Sequence, residues 1–462
     1  MLRGCAGTQK AAEHVSFVPF ARHQAPVQPV LCAGAAPLPV RLADGRVRGI
    51  PHIGEDLREV AMTFDLVATV ALSGALLFVG YGMQRLIPWL ARLNIPAPVI
   101  GGLIASVAVL LARWYELPVP TFDTTLQRPL LVAFFTTIGF SASLALLRVG
   151  GPQVALLLAI VTVFAILQNL MGMGIAVAFG QDPLFGVLTG SVTLMGGPAT
   201  GLAFAPLFEA AGVEGAASIA IAAAMAGIVI GGLIGGPVAT FLIERHRLRG
   251  PRSEGDVREV AEMPVQSDPQ PVDDSARAYL ALKTVVIVLM AMWAGSWISA
   301  AINSTGVTLP EYIGAMLAAA LIRNLDDRTG WIGLPHAAVD VLGAVALSLF
   351  LVMALMTLDL TQLAGLALPL IVILAAQLAL VAALSIWPIF QLLGRDYDAA
   401  VTTGGTIGFA LGTTANAMAV MRTLVERFGA SPRAFLVAPL VGAFFIDFTN
   451  ALVITGFLNL FG

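Results

Sequence analysis

Between Phe64 and Phe461 the chain returns repeatedly to apolar runs of roughly 20 residues, the length an α-helix needs to cross ~30 Å of hydrocarbon. Runs of this length and number read as the spans of a polytopic membrane protein. Composition agrees: 58% of the 462 residues are hydrophobic, 11% are charged, and the mean hydropathy is +0.88. A soluble domain is about a quarter charged. The formal net charge of −3 gives no pointer to a nucleic-acid partner, and none is expected. Where the charges sit is more telling.

Hydropathy places helices near 64–83, 97–114, 129–147, 153–179 and 216–243, and a second set near 279–302, 310–322, 338–357, 367–393 and 434–460. A polar linker over 245–277 separates the sets, with Arg245, Arg247, Arg249 and Arg252 ahead of a Pro/Asp-rich stretch. With the linker in the cytoplasm and the spans alternating, sixteen Lys and Arg residues from Arg85 to Arg433 share one side. The other side holds only Arg113 and Arg128. Basic residues accumulate in cytoplasmic loops, so the linker is cytoplasmic and both core termini face outward. Residues 1–61 are Pro- and Arg-rich and lack both a span and a convincing signal peptide. Met62 then opens directly onto the first span, so 1–61 are expected to be a disordered N-terminal extension or the product of a mis-set start.

Five spans on each side of the linker give the halves opposite orientations. The expected fold is an all-α polytopic membrane protein of ten transmembrane helices in two inverted five-helix repeats, 62–244 and 278–462. Matching places in the halves carry similar sequences. Gly180-Gln181-Asp182-Pro183 parallels Gly394-Arg395-Asp396-Tyr397, Thr189-Gly190-Ser191 parallels Thr403-Gly404-Gly405, and the run Leu207–Gly212 parallels Leu424–Gly429. Weak similarity with reversed topology marks inverted-repeat transporters.

Two segments, 184–208 and 399–424, are apolar at both ends but interrupted by Gly, Thr, Pro or Asn. In a helix interior Gly costs about 1 kcal/mol and Pro about 3 relative to Ala. Unpaired backbone at membrane depth survives only where protein buries it or it lines a wet cavity. Each segment is therefore expected to be a re-entrant hairpin, the first entering from outside and the second from inside, with tips approaching near the midplane. Free N–H groups at half-helix starts there favour a carboxylate, while free carbonyls and hydroxyls can hold Na⁺. Gly-rich runs that merely let helices pack closely are the alternative. That alternative is the preferred reading for Gly231–Gly236.

The last span carries Asp447, and Asn450 three residues on shares its helical face. Carboxylate and amide oxygens together suit a hard cation, here Na⁺. A structural carboxylate satisfied by backbone is the competing reading. Gln168, Asn169 and Gln377 read as interhelical glue. Cys5 and Cys32 lie outside the core, and no His falls within a span. With no Walker-type motif either, neither an intramembrane enzyme nor an ATP-driven pump is supported, and no cofactor is expected. A channel fits two opposed hairpins less well than a carrier does.

From about Met62 onward the chain resembles the bacterial glutamate:sodium symporter family. The runs that carry the resemblance include LVAFFTTIGFSASL (131–144), QDPLFGVLTGSVTLMGG (181–197), GLIGGPVA (232–239), LSLFLVMALM (347–356), DYDAAV (396–401) and PLVGAFFIDFTNALVI (439–454). The resemblance implies ten spans with two re-entrant loops, and a substrate-carrying domain that moves against a scaffold. It also implies a homodimer in the cell inner (plasma) membrane and Na⁺-driven uptake of L-glutamate. Thr193, Gly196, Gly197, Thr200 and Gly201 fall on the family signature in the first loop. Gly408, Phe409, Gly412 and Thr414 do so in the second, with Asp447 and Asn450 in the last span. Thr413 and Asn416 of the second tip complete the expected substrate-binding set. Where the family often has Gly-Gly-His-Gly-Thr-Gly, this chain has Gly196-Gly197-Pro198-Ala199-Thr200-Gly201. Its usual Gly-Leu-Gly-Ala-Thr-Pro-Thr becomes Ala410-Leu411-Gly412-Thr413-Thr414-Ala415-Asn416. Such changes leave the fold expectation intact and open a second possibility for the cargo, another organic anion or amino acid.

Overall fold

A computed structural model describes residues 63–250, 274–306, 309–363 and 365–462. The expected extension 1–61 and the greater part of the expected linker, 251–273, lie outside the described residues. What is described is almost wholly helical. Its one sheet is a parallel pairing of β1 (Thr63–Phe64) with β2 (Thr121–Phe122), a small addition to the all-α expectation. It fastens the entry of the first helix to the approach of the third.

The helices in chain order are α1 (Leu66–Leu86), α2 (Ala97–Trp114), α3 (Gln127–Phe140) and α4 (Leu144–Ala178). Then come α5 (Pro183–Val187), extended by a π-helical turn Leu188–Val192, α6 (Gly197–Ala210) and α7 (Ala216–Arg245). Beyond the linker follow α8 (Asp274–Asn303), α9 (Glu311–Thr329), α10 (His336–Met356) and α11 (Ala367–Leu384). A π-helical turn at Ser385–Ile389 follows α11, and the last are α12 (Tyr397–Ala410), α13 (Thr414–Phe428), α14 (Pro432–Leu440) and, past a third π-helical turn at Val441–Phe445, α15 (Ile446–Phe461).

Among the described residues, seven helices are long and apolar enough to cross a membrane. They coincide with seven of the ten expected spans. The other three positions hold α3, α9 and the α14–α15 run, which are shorter, more charged or interrupted. Two boundaries move. The expected third span, 129–147, stops at Phe140, and α9 runs past residue 322 to Thr329. One cause serves both. Asn324 at the polar end of α9 donates from Nδ2 to the Ala142 carbonyl (2.7 Å) and accepts at Oδ1 from the Leu144 N–H (2.8 Å). That closes the turn after α3, satisfying backbone groups which a helix end leaves unpaired.

The helices pack in two sets. α1, α2, α3, α8, α9 and α10 lie against one another, and α4 to α7 with α11 to α15 form the second set. Lipid offers no hydrophobic drive between helices, so close approach through small residues has to supply the packing. A Cβ at Gly172 in α4 would stand 2.1 Å from the Gly186 carbonyl oxygen in α5. Where the sets meet, Leu202 and Ile221 of the second join Val99, Phe350, Leu351 and Leu355 of the first in a buried apolar cluster. Close by, Tyr312 stacks on Phe135 at 4.2 Å and meets Phe204 edge-on at 5.7 Å.

Candidate functional site

The two broken segments are built alike at their ends. Gly180 (φ 70°) and Gly394 (φ 114°) end the preceding helical run in the left-handed region that suits glycine. Two residues later Asp182 caps α5, accepting from the Leu184 N–H at 2.7 Å, and Asp396 caps α12, accepting from the Ala399 N–H at 2.8 Å. Gly212 (φ 102°) and Gly429 (φ 111°) end the return arms α6 and α13. The first and third of the paired sequences noted above therefore sit at like helix ends, where cap chemistry makes them alike, whereas Thr189-Gly190-Ser191 lies at a break and Thr403-Gly404-Gly405 inside α12.

Inside each segment the helix breaks. In the first, Gly190 leaves helical geometry (φ −97°, ψ −127°) and the chain resumes as α6 at Gly197, whose φ is +68°. In the second, α12 ends at Ala410 and α13 starts at Thr414, with the Thr413 hydroxyl accepting from the Asn416 N–H at 3.4 Å. The two restarts face each other. A Cβ on Gly197 would lie 3.4 Å from Thr413 Cγ2 and 3.7 Å from the Gly412 carbonyl. Two half-helix N-termini thus meet, that of α6 buried and that of α13 partly exposed, each with first-turn N–H groups that lack intrahelical partners and with the positive end of its dipole.

The other predicted residues distribute around this meeting point. Thr193 is fully buried and donates to the Leu188 carbonyl (2.8 Å), while Gly201 packs by Thr193 and Ala220. Gly196 stands against Thr200, and Gly408 against the Ala417 backbone, which lets α12 and α13 close. Thr414 donates to the Gly442 carbonyl (3.0 Å) in the π-helical turn just before Asp447. Asn416 donates to the Ile228 carbonyl of α7 (2.8 Å), fixing the second tip to the Gly-rich helix. Gly227 and Gly231 of that helix lie against Leu411, as a packing role requires. Asp447 is half-buried and within electrostatic range of Tyr312, whereas Asn450 is buried and donates to the Ser191 carbonyl at 3.0 Å.

Residues read as glue do bond across helices, Gln168 and Asn169 onto the broken segments and Gln377 onto α4. Asn169 Oδ1 accepts from the Ser191 N–H (2.8 Å), Gln168 Nε2 donates to the Ala410 carbonyl (2.9 Å), and Gln377 Nε2 donates to the Gln168 carbonyl (2.7 Å). Ser191 was absent from the predicted site set, although the Thr189-Gly190-Ser191 similarity pointed at it. At the outer rim Ser218 donates to the Asp359 carbonyl (2.8 Å), joining the two sets of helices. The Thr361 hydroxyl (2.6 Å), with the Arg113 guanidinium (2.5 Å), holds the Asp359 carboxyl below its ordinary range.

Comparison with known proteins fixes the family. A model of the sodium/glutamate symporters matches residues 62–430. The chain belongs to the sodium/glutamate symporter family. It is 38% identical over 397 residues to the sodium/glutamate symporter of Escherichia coli (strain K12), an alignment covering 86% of this chain and 98% of that protein. The Shigella flexneri protein of the same name gives the same figures. That of Haemophilus influenzae is 38% identical over 395 residues, 85% of this chain and 96% of its own. Symporters are transporters rather than enzymes. The paired helix starts at Gly197 and Thr414 stand within the matched residues of this symporter-family chain.

Proposed function

We propose that this chain is a secondary transporter that carries L-glutamate into the cell together with Na⁺, by alternating access, as a homodimer in the cell inner membrane. Its sodium/glutamate symporter relatives, aligned over nearly their whole length, support the cargo and the coupling ion. On this reading α3, α9 and the α14–α15 run complete ten crossings in two inverted repeats. The two broken segments are re-entrant from opposite faces, with the linker cytoplasmic and both core termini outside. The second set of helices is the moving body, and the first is the scaffold.

One juxtaposition carries the mechanism: Gly197 against Gly412 and Thr413. Two helix starts converging there offer N–H groups and positive dipole ends to a carboxylate, which is how a half-helix binds an anion at membrane depth. Thr193, Thr200, Thr413, Thr414 and Asn416 add polar side chains around it, and Asp447 with Asn450 supplies oxygens for Na⁺. The seam between the sets is lined by apolar groups at Leu202, Ile221 and Leu351, so relative movement breaks few directional bonds. Pro198 favours weighing a second cargo. It lacks an N–H in the first turn of α6, so the anion meets one donor fewer there, and an organic anion or amino acid other than glutamate is the alternative.

The test is uptake of labelled glutamate into proteoliposomes of the purified chain. An inward Na⁺ gradient should drive accumulation, and collapsing the gradient should end it. Uptake indifferent to Na⁺ removes the symport reading. Asp447→Asn should raise the Na⁺ concentration needed for half-maximal uptake while leaving insertion and yield unchanged. Unaltered Na⁺ dependence would return Asp447 to a scaffold role.

A further inference from the structure

α4 runs from Leu144 to Ala178 but is broken near its start. At Gly151 the chain leaves helical geometry (φ 61°, ψ −154°), and Pro152 follows at once. That region of φ/ψ space is essentially closed to residues with a Cβ. Pro152 brings no N–H, and its ring excludes the carbonyl four residues back, so the helical ladder is interrupted at the same place. Packing does not call for the glycine: a Cβ at Gly151 would meet nothing within 4 Å. The break serves backbone geometry alone.

It divides what the two ends of α4 hold. On the near side, Asn324 Oδ1 accepts from the Leu144 N–H (2.8 Å) and Ser143 donates to Asp327 (2.6 Å), both partners lying on α9 of the first set. On the far side, Val154, Leu157 and Phe164 are buried in the core cluster that also takes in Leu188 and Ile407 of the broken segments. Gln168 and Asn169 bond to those same segments. α4 thus connects the two sets, with its corner between them. The connection from α10 to α11 is different, because both sets grip it. At Asp359, Arg113 of α2 donates to the carboxylate (2.5 Å) and Ser218 of α7 to the carbonyl (2.8 Å). A Cβ at Gly215, just ahead of α7, would stand 2.7 Å from Gln362 Oε1 in the same connection. Movement there has directional bonds to break, whereas turning about Gly151 changes two backbone angles.

We propose that Gly151-Pro152 is the hinge on which the second set of helices turns against the first. The proposal rests on the two-body reading above and gives that movement a pivot. Hinges are a few residues at element ends that absorb large φ/ψ changes far from the chemistry. Gly151 opens the apolar span Gly151–Ala178, where water is near enough to satisfy the carbonyls that the break frees. Because Gln168 and Asn169 lie past the corner and hold both broken segments, a turn at Gly151 carries the two together.

Gly151→Ala tests the hinge in the purified full chain, with Gly174→Ala as its control. Gly174 lies in the same helix with helical backbone, and a Cβ there also meets nothing within 4 Å. Labelled glutamate uptake is measured in proteoliposomes under an inward Na⁺ gradient, and glutamate binding in detergent with NaCl present. We expect Gly151→Ala to slow uptake about tenfold while the glutamate dissociation constant stays within about twofold of wild type. Gly174→Ala should leave both unchanged. Pro152→Ala keeps Gly151 and restores the N–H, so it carries the test if Gly151→Ala fails to fold; slower uptake with binding intact is again the expected result. Wild-type uptake rates in both variants would overturn the hinge, and so would a loss of binding equal to the loss of uptake. Neither result touches the symport reading, which falls if wild type shows no Na⁺-dependent uptake.

Discussion

Residues 183–210 and 397–428 share Asp caps, glycine ends and a central break, yet their tips are held differently. The first tip is fixed from outside the segment: Asn169 and Asn450, on two other helices, bond both the N–H and the carbonyl of Ser191 beside the break. Its backbone there is buried, and Gly197 takes a left-handed conformation. The second tip is tied to its neighbours too, through Gln168 to Ala410, Thr414 to Gly442 and Asn416 to Ile228, and in addition carries its own Thr413 cap and the close seating of Gly408 on Ala417. Thr413 and Thr414 are half-buried and Ala415 is exposed. One tip is a wall built by its neighbours. The other adds its own cap and seam to such ties and leaves an accessible edge at Ala415. Their return arms differ as well: α6 carries only Glu209, while α13 exposes Arg422, Glu426 and Arg427.

The contrast can be broken by substitution. Gly408→Leu should have the largest effect, because even its Cβ would stand 2.5 Å from Ala417 Cα, a backbone atom that cannot turn aside. Overpacking of this kind typically costs about 1–3 kcal/mol, here at the upper end because the clash is with backbone, and loss of uptake with a large fall in melting temperature is the expected outcome. A folded, active Gly408→Leu protein would mean the second hairpin does not depend on its own seam. Gly197→Ala should be milder for the fold, since nothing lies closer than 3.4 Å to its Cβ, leaving the left-handed backbone as the cost, about 1–2 kcal/mol. Its effect on uptake should exceed its effect on melting temperature, because the strain falls where the helix starts meet. Equal losses in both would make the first tip a packing element only. Thr413→Ala should cost least, near 0.5 kcal/mol, the low end for an N-cap, given its long 3.4 Å bond. A shift in glutamate half-saturation with little change in melting temperature would support the accessible-edge view. A larger stability loss than for Gly197→Ala would reverse the comparison.

Much of this was legible in the chain itself, and for physical reasons that act locally. Apolar length decides what can lie in hydrocarbon, so seven spans matched directly. Gly and Asp at helix ends act within a few residues, so Asp182 and Asp396 announced two equivalent starts. The interruption of 184–208 and 399–424 marked where regular backbone fails. The end of α3 was not legible, because the groups that close the turn belong to Asn324, more than 180 residues away.

The sequence alone determined that the chain is a helical membrane protein with two broken segments and with polar residues at Gln168, Asn169, Gln377, Asp447 and Asn450. Tertiary structure decided what those residues hold. Asn450 reaches Ser191 across 259 positions, Gln168 reaches Ala410 across 242, and Gln377 reaches Gln168 across 209. Hydropathy and turn chemistry are one-dimensional signals read over a few residues. Which amide meets which opened backbone depends on how whole helices stack, and no local pattern carries that.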